Sequence, residues 1–197
     1  MKSRLEFKKL MKLDELEIKE SYLNLIYWFF AHPTLGITLS DLASKLSLSK
    51  TKTRELVLGL VSQNFLIKEE IGRLWRISCN KDHIYNYTIK IPYNLWLIYS
   101  TNIVYEIRER IPNAKAIILF GSYRKGDDNE NSDLDIAVEI AGNQDLSIEE
   151  LGVIPQLGYR KNVKVNLHIF SRNRIDLNLF NNIANGIVLD GFLEVRT

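Results

Sequence analysis

The stretch AIILFGSYRKGDDNENSDLDIAV, residues 116–138, constrains the fold of this chain more than any other segment. Two apolar segments with strand character enclose a Gly-Ser pair and a polar loop. The carboxylates of this stretch are Asp127, Asp128, Glu130, Asp133 and Asp135. Like charges repel, so such crowding costs stability unless a positive partner is present. Residues two apart on a strand point to the same side, so Asp133 and Asp135 are predicted to converge on that partner.

Two well-known loops share part of this pattern, and specific residues exclude both. Gly121 and Gly126 have the spacing of a phosphate-binding P-loop, but two acidic residues follow where that motif requires Lys and then Ser or Thr. An EF-hand calcium loop that starts at Asp127 would require Gly at its sixth position and Glu at its twelfth. The chain has Ser132 and Val138 at those positions.

The pattern that fits at every position is G-S-x10-D-x-D, formed by Gly121-Ser122 and Asp133-Leu134-Asp135. It resembles the signature of the polymerase-β-type nucleotidyltransferase superfamily. The segment LFGSYRKGDDNENSDLDIAV is similar to the small members, the minimal nucleotidyltransferases that are paired with toxin partners. The resemblance covers about residues 92–191 and includes NIANGIVLDG near the end. Family members usually continue the loop as Ala-Arg-Gly, and Lys125 takes the place of that arginine.

The resemblance implies a site for Mg²⁺ (or Mn²⁺) and a nucleoside triphosphate (NTP), with ATP as the expected nucleotide. Asp133 and Asp135 would hold the metal, a hard cation that prefers oxygen ligands. Gly121 would let the backbone approach the nucleotide, and Ser122 would bind the terminal phosphates. Lys125 would neutralise the triphosphate or the leaving pyrophosphate. Metal and donors would then stabilise an in-line displacement at the α-phosphorus.

Active members of this superfamily usually carry a third carboxylate on a later strand, and the matching residue in NVKVNLHIF is Asn166. An amide oxygen can ligate a cation but cannot act as a base, and losing a positioned base costs about 10²–10⁴-fold. His168 should share the face of Asn166 and could supply a base, although a lone His on an apolar strand is more often a packing residue.

Two functions therefore stay open at the level of sequence. The domain either transfers NMP to a protein or nucleic-acid acceptor, alone or together with a toxin-type partner protein, or belongs to a nucleotide-responsive DNA-binding regulator that barely reacts. Residue 166 favours the second function, whereas the intact metal ligands favour the first, so catalysis is predicted but not required by the motif.

The first part of the chain shows a different pattern. After a predicted helix in ESYLNLIYWFFAHP, the segment GITLSDLASKLSLSKTKTRELVLGLVSQNFLI predicts two helices joined by a tight connection. Thr38 and Asp41 form a capping box for the short helix, and Ser49 caps the longer helix, which ends at Asn64. FLIKEEIGRLWRIS predicts a hairpin that turns at Gly72. This order resembles the winged helix-turn-helix domains of archaeal and bacterial regulators, over about residues 18–80.

A winged helix implies binding of duplex DNA, with the second helix in the major groove and the hairpin beside it. The expected DNA contacts are Ser49, Lys50, Thr51, Lys52, Arg54, Arg73 and Arg76. Winged helices also serve as protein-interaction modules, so that alternative stays open. The aromatic run at residues 27–30 goes round its helix and predicts core contacts together with an interdomain or homodimer contact.

These patterns predict an α+β protein with two units. Residues 1–90 form a winged helix-turn-helix domain with an N-terminal extension, and residues 91–197 form a nucleotidyltransferase-like domain with a short mixed sheet. In the second unit we expect a helix from Pro92 to Pro112, strands in AIILF, SDLDIAVEI and VKVNLHIF, and a last helix and strand in RIDLNLFNNIANGIVLDG. The first unit carries 15 basic and 10 acidic residues and the second 11 and 14, which fits units with different partners.

The remaining composition points to a cytoplasmic protein with no membrane partner. The single cysteine, Cys79, excludes an internal disulfide and fits a reducing compartment. The N-terminal segment lacks the apolar run of a secretory signal, and the longest apolar run near it, residues 25–31, is too short to span a bilayer.

Overall fold

A computed structural model of the chain describes residues 20–194. The N-terminal extension predicted for the first domain lies outside these residues. Within the described range, no helix has both the length and the apolar character that crossing a membrane requires.

The first unit combines helices with a three-stranded antiparallel sheet. Its elements are α1 (Glu20–Ala31), β1 (Ile37–Thr38), α2 (Leu39–Lys45), α3 (Lys50–Ser62), β2 (Leu66–Ile71) and β3 (Leu74–Cys79). The strands lie in the order β1-β3-β2, and the hairpin between β2 and β3 turns at Gly72, whose φ is 61°. This is the element order on which the winged-helix interpretation depends, and DNA binding stays a prediction.

Local residue chemistry sets the ends of α2 and α3, as the sequence predicts. Thr38 Oγ1 accepts a hydrogen bond from the backbone N–H of Asp41, and Ser49 Oγ accepts one from that of Lys52. Each such cap contributes about 1 kcal/mol. Asn64 has a φ of 61° and turns the chain after α3. The predicted helix starts and the predicted end are therefore confirmed.

Three helices follow the first unit: α4 (Tyr85–Thr88), α5 (Lys90–Ser100) and α6 (Ile103–Arg110). The prediction of one helix between Pro92 and Pro112 is wrong, because the chain turns at Asn102, whose φ is 62°. At the end of α5 the hydroxyls of Ser100 and Thr101 donate to backbone carbonyls three residues earlier. The predicted domain boundary between residues 90 and 91 falls in the first turn of α5.

The second unit is a five-stranded mixed sheet with short helices. Its elements are β4 (Ala114–Leu119), α7 (Gly121–Lys125), β5 (Leu134–Ile140), β6 (Ser147–Leu157), β7 (Arg160–Phe170), α8 (Leu177–Ala184) and β8 (Ile187–Gly191). The strand order is β6-β7-β5-β4-β8, in which β5 and β7 are parallel and the other neighbours are antiparallel. The mixed sheet is as predicted, whereas the sequence pattern does not predict edge strand β6.

Aromatic packing joins the two units. The ring of Tyr27 on α1 stacks on that of Tyr93 on α5, with centroids 3.8 Å apart and planes inclined by 4°. Phe29 and Phe30 are buried in the core of the first unit. The predicted core and interdomain roles of the aromatic run are therefore confirmed, and the homodimer contact stays a prediction.

Candidate functional site

The parallel pairing of β5 and β7 brings the predicted site residues together. Asp135 lies opposite Asn166, and Asp133 precedes β5 by one residue. The amide nitrogen of Asn166 is 3.2 Å from Asp135 Oδ1 and 3.4 Å from Asp133 Oδ2. Both carboxylates are half-buried and converge on one amide group.

His168 lies on the same face of β7 as Asn166, as its spacing predicts. Its Nε2 is 3.7 Å from Asp135 Oδ1, and its ring meets that of Phe120 edge-on at 4.9 Å. At 3.7 Å the two groups do not form a hydrogen bond. The other ring nitrogen, Nδ1, is buried and has no hydrogen-bond partner among residues 20–194. The imidazole is thus beside the carboxylate pair and packed against an aromatic ring.

Gly121 connects the Gly-Ser turn to the carboxylate pair. It starts α7 two positions after the end of β4, with a φ of 72°, a backbone conformation that residues other than glycine rarely adopt. A Cβ atom at this position would lie 2.8 Å from Asp135 Oδ2. The backbone N–H of Phe120 also donates to the carbonyl of Asp135 at 3.3 Å. Glycine is therefore required both by backbone conformation and by close approach, and Ser122 follows it in the first turn of α7.

Lys125 lies in the last turn of α7 and is exposed. It lines a cavity of about 220 Å³ between the two units, together with Thr34, Tyr87, Lys90 and other residues. The described residues that line this cavity include neither Asp133 nor Asp135. The phosphate contact of Lys125 therefore stays a prediction.

The donor set at the carboxylate pair suits a hard cation. Within residues 20–194, no cluster of three or more His, Cys, Asp or Glu side chains is arranged to hold a metal ion. Asp133 and Asp135 provide carboxylate oxygens, and a half-turn of the Asn166 amide would present its oxygen to the same point. Mg²⁺ commonly takes one or two protein carboxylates and completes its shell with water and substrate phosphates. The residues present therefore fit Mg²⁺ or Mn²⁺ bound together with a phosphate ligand.

A buried ion pair supports the loop that leads to Asp133. Lys90 on α5 and Asp128 in the loop are 1% and 2% exposed, and Lys90 Nζ lies 3.3 Å from Asp128 Oδ1 and 2.5 Å from the backbone carbonyl of Asp128. Asn94 donates to the same carboxylate at 2.9 Å. Burial raises the pKa of Asp128 and lowers that of Lys90, and the attraction within the pair opposes both shifts. No sequence signal identified this pair, because its members are 38 residues apart.

Arg160 holds the end of the same loop. This buried residue, the first of β7, donates to the backbone carbonyls of Glu130 and Ser132 and to the hydroxyl of Tyr123. Asp133 follows Ser132 directly. A second buried cation therefore fixes the chain immediately before the first carboxylate of the site, and sequence reasoning missed it.

The predicted DNA contacts lie on α3 and the hairpin. Exposed residues are Ser49, Lys50, Thr51, Arg54, Arg73 and Arg76, and Lys52 is half-buried. Lys52 pairs with Glu55 at 2.9 Å, and the guanidinium of Arg54 lies 4.9 Å from the centre of the Trp75 ring. The exposure of these cations is compatible with the prediction and does not test it.

Comparison with known proteins gives a match within the second unit. Residues 101–189 match the family model described as a nucleotidyltransferase domain. No curated protein matches the chain. The matched range starts at the end of α5 and contains Gly121, Ser122, both carboxylates and Asn166. The part of the chain that carries the carboxylate pair thus matches the model of a nucleotidyltransferase domain.

Proposed function

We propose that this protein binds a Mg²⁺- or Mn²⁺-complexed NTP, with ATP as the expected nucleotide, and transfers its nucleotidyl group to a protein or nucleic-acid acceptor. The observation that carries the proposal is the convergence of Asp133 and Asp135 beside Gly121, within a nucleotidyltransferase domain. The two carboxylates would hold the metal, which when bound neutralises phosphate charge. Gly121 leaves room for the nucleotide, and the Ser122 hydroxyl would donate to its phosphates.

A second candidate function is a nucleotide-responsive DNA-binding regulator with a weakly reactive transferase domain. The amide of Asn166 favours it, because an amide cannot take the proton of an attacking hydroxyl. His168 is the alternative base, and its Nε2 is only 3.7 Å from Asp135, so it could reach the site after a small movement. Nucleotide binding is common to both candidates.

For the first unit we propose binding to duplex DNA through a winged helix. The support is the element order, the predicted caps on α2 and α3, and the exposed cations at the start of α3 and in the hairpin. We further propose that the protein acts in the cytoplasm and that DNA selects the target or locus at which the second unit works.

Labelled nucleotides distinguish the candidates. The full chain is incubated with α-³²P-labelled ATP, CTP, GTP or UTP, Mg²⁺ or Mn²⁺, and lysate of the source organism. Transfer of label by wild type, lost in Asp133→Asn and retained in Asp127→Asn, would establish the transferase. Asp127 is the matched control, because it is an exposed carboxylate of the same loop. Transfer that persists in Asp133→Asn refutes the proposed site, and activity gained only by Asn166→Asp supports the regulator.

A further inference from the structure

The loop between α7 and β5 contacts the first unit through one carboxylate. Thr34 lies in the turn after α1, and its backbone N–H donates to Glu130 Oε1 at 2.9 Å. Its side-chain Oγ1 donates to Glu130 Oε2 at 2.9 Å. One residue of the first unit therefore holds both oxygens of a carboxylate that lies 96 positions later in the chain.

This Thr34–Glu130 contact favours the ionised form of the glutamate side chain. Partial burial acts to raise the pKa of Glu130, but hydrogen bonds from its own backbone N–H and from both groups of Thr34 outweigh burial, so the pKa lies below its usual value. An ionised acceptor makes both hydrogen bonds stronger than bonds to a neutral group. The contact is thus a specific one, although it lies at the surface.

The backbone of the same loop is held by two further residues. Lys90 donates a hydrogen bond to the backbone carbonyl of Asp128, and Arg160 donates to the backbone carbonyls of Glu130 and Ser132. These alternate carbonyls are bound by buried cations, and the next residue in the chain is Asp133. The path of the loop, and with it the position of Asp133, therefore depends on α5, on β7 and on Thr34.

Thr34 is in turn close to the elements predicted to bind DNA. It is followed by β1, which pairs with β3 of the hairpin through Ile37–Ile77 and Thr38–Arg76. Thr38 is also the N-cap of α2. A short path thus joins the hairpin and the helix pair to Glu130.

We propose that Glu130 is a positioning residue for the carboxylate pair, and that Thr34 of the first unit sets the cation affinity of the second unit through it. Glu130 does not ligate the cation in this proposal. It fixes the loop from which Asp133 projects, so that both carboxylates are already in place when the cation binds. The inference deepens the proposed function, since the cation is the one bound by Asp133 and Asp135.

Binding of Mn²⁺ to the full chain tests this role, with free Mn²⁺ measured by electron paramagnetic resonance. Glu130→Ala should weaken binding about threefold to tenfold, the range that follows from the loss of one ordinary hydrogen bond at the surface. Thr34→Val, which removes the hydroxyl donor but keeps charge, shape and backbone N–H, should weaken binding less, and Thr34→Ser should restore it. The double variant should bind no more weakly than Glu130→Ala, because both changes remove one contact.

The variant Asp127→Asn distinguishes an effect of loop position from an effect of the loop's negative charge. It removes a negative charge from the same loop without touching the Thr34–Glu130 contact, so Mn²⁺ affinity should stay near that of wild type. If Asp127→Asn weakens binding as much as Glu130→Ala while Thr34→Val has no effect, the influence of Glu130 is merely electrostatic and the proposal is wrong.

Hydrogen exchange of the metal-free protein gives a readout that needs no ligand. Backbone amides of residues 129–133 should exchange faster in Glu130→Ala and Thr34→Val and at the wild-type rate in Asp127→Asn. Wild-type exchange and wild-type Mn²⁺ affinity in both contact variants would overturn the positioning role alone. If wild type does not bind Mn²⁺, or if Asp133→Asn binds it as well as wild type does, the proposed function and the cation part of this inference are refuted.

Discussion

The amide nitrogen of Asn166 lies 3.2 Å from Asp135 Oδ1, across a pair of neighbouring parallel strands. The same nitrogen is 3.4 Å from Asp133 Oδ2, so one neutral group donates to two carboxylates. The identity of residue 166 therefore decides whether the site is stable without a cation. An amide stabilises the carboxylate pair in the absence of a cation, whereas a third carboxylate would need a cation to offset its charge.

Asn166→Asp should make the stability of the protein depend on Mg²⁺. In metal-free buffer the variant loses a hydrogen bond to charged groups and adds a like charge, and we expect the free energy of unfolding to fall by about 1–3 kcal/mol. Saturating Mg²⁺ should recover most of the loss. Urea unfolding with and without Mg²⁺ measures both effects, and Asn182→Asp, at an exposed position of α8, is the matched control. A variant as stable as wild type without Mg²⁺ would contradict this account of Asn166.

Gly121→Ala should disturb the site more than an ordinary glycine substitution. The left-handed φ of 72° costs about 1–2 kcal/mol for alanine, and the new Cβ would lie 2.8 Å from Asp135 Oδ2. Gly72→Ala is the matched control, because its φ of 61° is similar and its Cβ would face open space. We expect Gly121→Ala, and not Gly72→Ala, to weaken the binding of Mn²⁺ and ATP, measured by titration calorimetry. Equal ligand affinity in the two variants would show that close approach to Asp135 is not important.

Local patterns account for the parts of this molecule that the sequence predicted correctly. Caps at Thr38 and Ser49, the hairpin turn at Gly72 and the convergence of Asp133 and Asp135 each depend on residues a few positions apart. The supporting contacts of the site could not be predicted in this way. Lys90 and Asp128 meet only because α5 packs against the loop, and Arg160 reaches Ser132 only through the register of β7.

The differences between the predicted and the observed helices and strands also have physical causes. The predicted helix over residues 92–112 is interrupted because Asn102 adopts a left-handed φ that apolar periodicity does not reveal. Edge strand β6 carries exposed residues, and its register shifts between Glu150 and Gly152, so its alternation is weak.

Lys90→Met should be among the most destabilising single changes in the chain. It leaves Asp128, which is 2% exposed, without its cation, and breaking a buried ion pair costs about 3–5 kcal/mol. The double variant Lys90→Met/Asp128→Asn should recover part of this loss, since no unpaired charge remains. Lys52→Met, which breaks the surface pair with Glu55, is the control and should cost at most about 1 kcal/mol.

The loss in Lys90→Met should also depend on pH. Burial already raises the pKa of Asp128 beside its lysine, and the shift grows when the lysine is removed. The folded variant then keeps a proton that the unfolded chain releases, so its stability falls as pH rises from about 4 through the folded-state pKa. The difference in unfolding free energy from wild type should be larger near about pH 8 than near about pH 5. A difference independent of pH would mean that Asp128 stays ionised in the variant.

Lys50→Ala and Arg54→Ala should each weaken binding to duplex DNA. Both residues are exposed on α3, and removal of one phosphate-binding cation should reduce the slope of log affinity against log salt by about one. Fluorescence anisotropy at several salt concentrations measures affinity and slope together. Lys161→Ala, at an exposed position of β7, removes the same charge from the second unit and is the matched control.

The contact between Trp75 and Arg54 gives a second test of DNA binding by α3. The Arg54 guanidinium lies 4.9 Å from the centre of the Trp75 ring, so the indole restricts where this cation points. Trp75→Leu should therefore weaken DNA binding in the wild-type background and have little further effect in Arg54→Ala, because the ring acts through the arginine. Comparable weakening in Lys161→Ala, or unchanged binding in both α3 variants, would show that α3 is not the DNA-binding element.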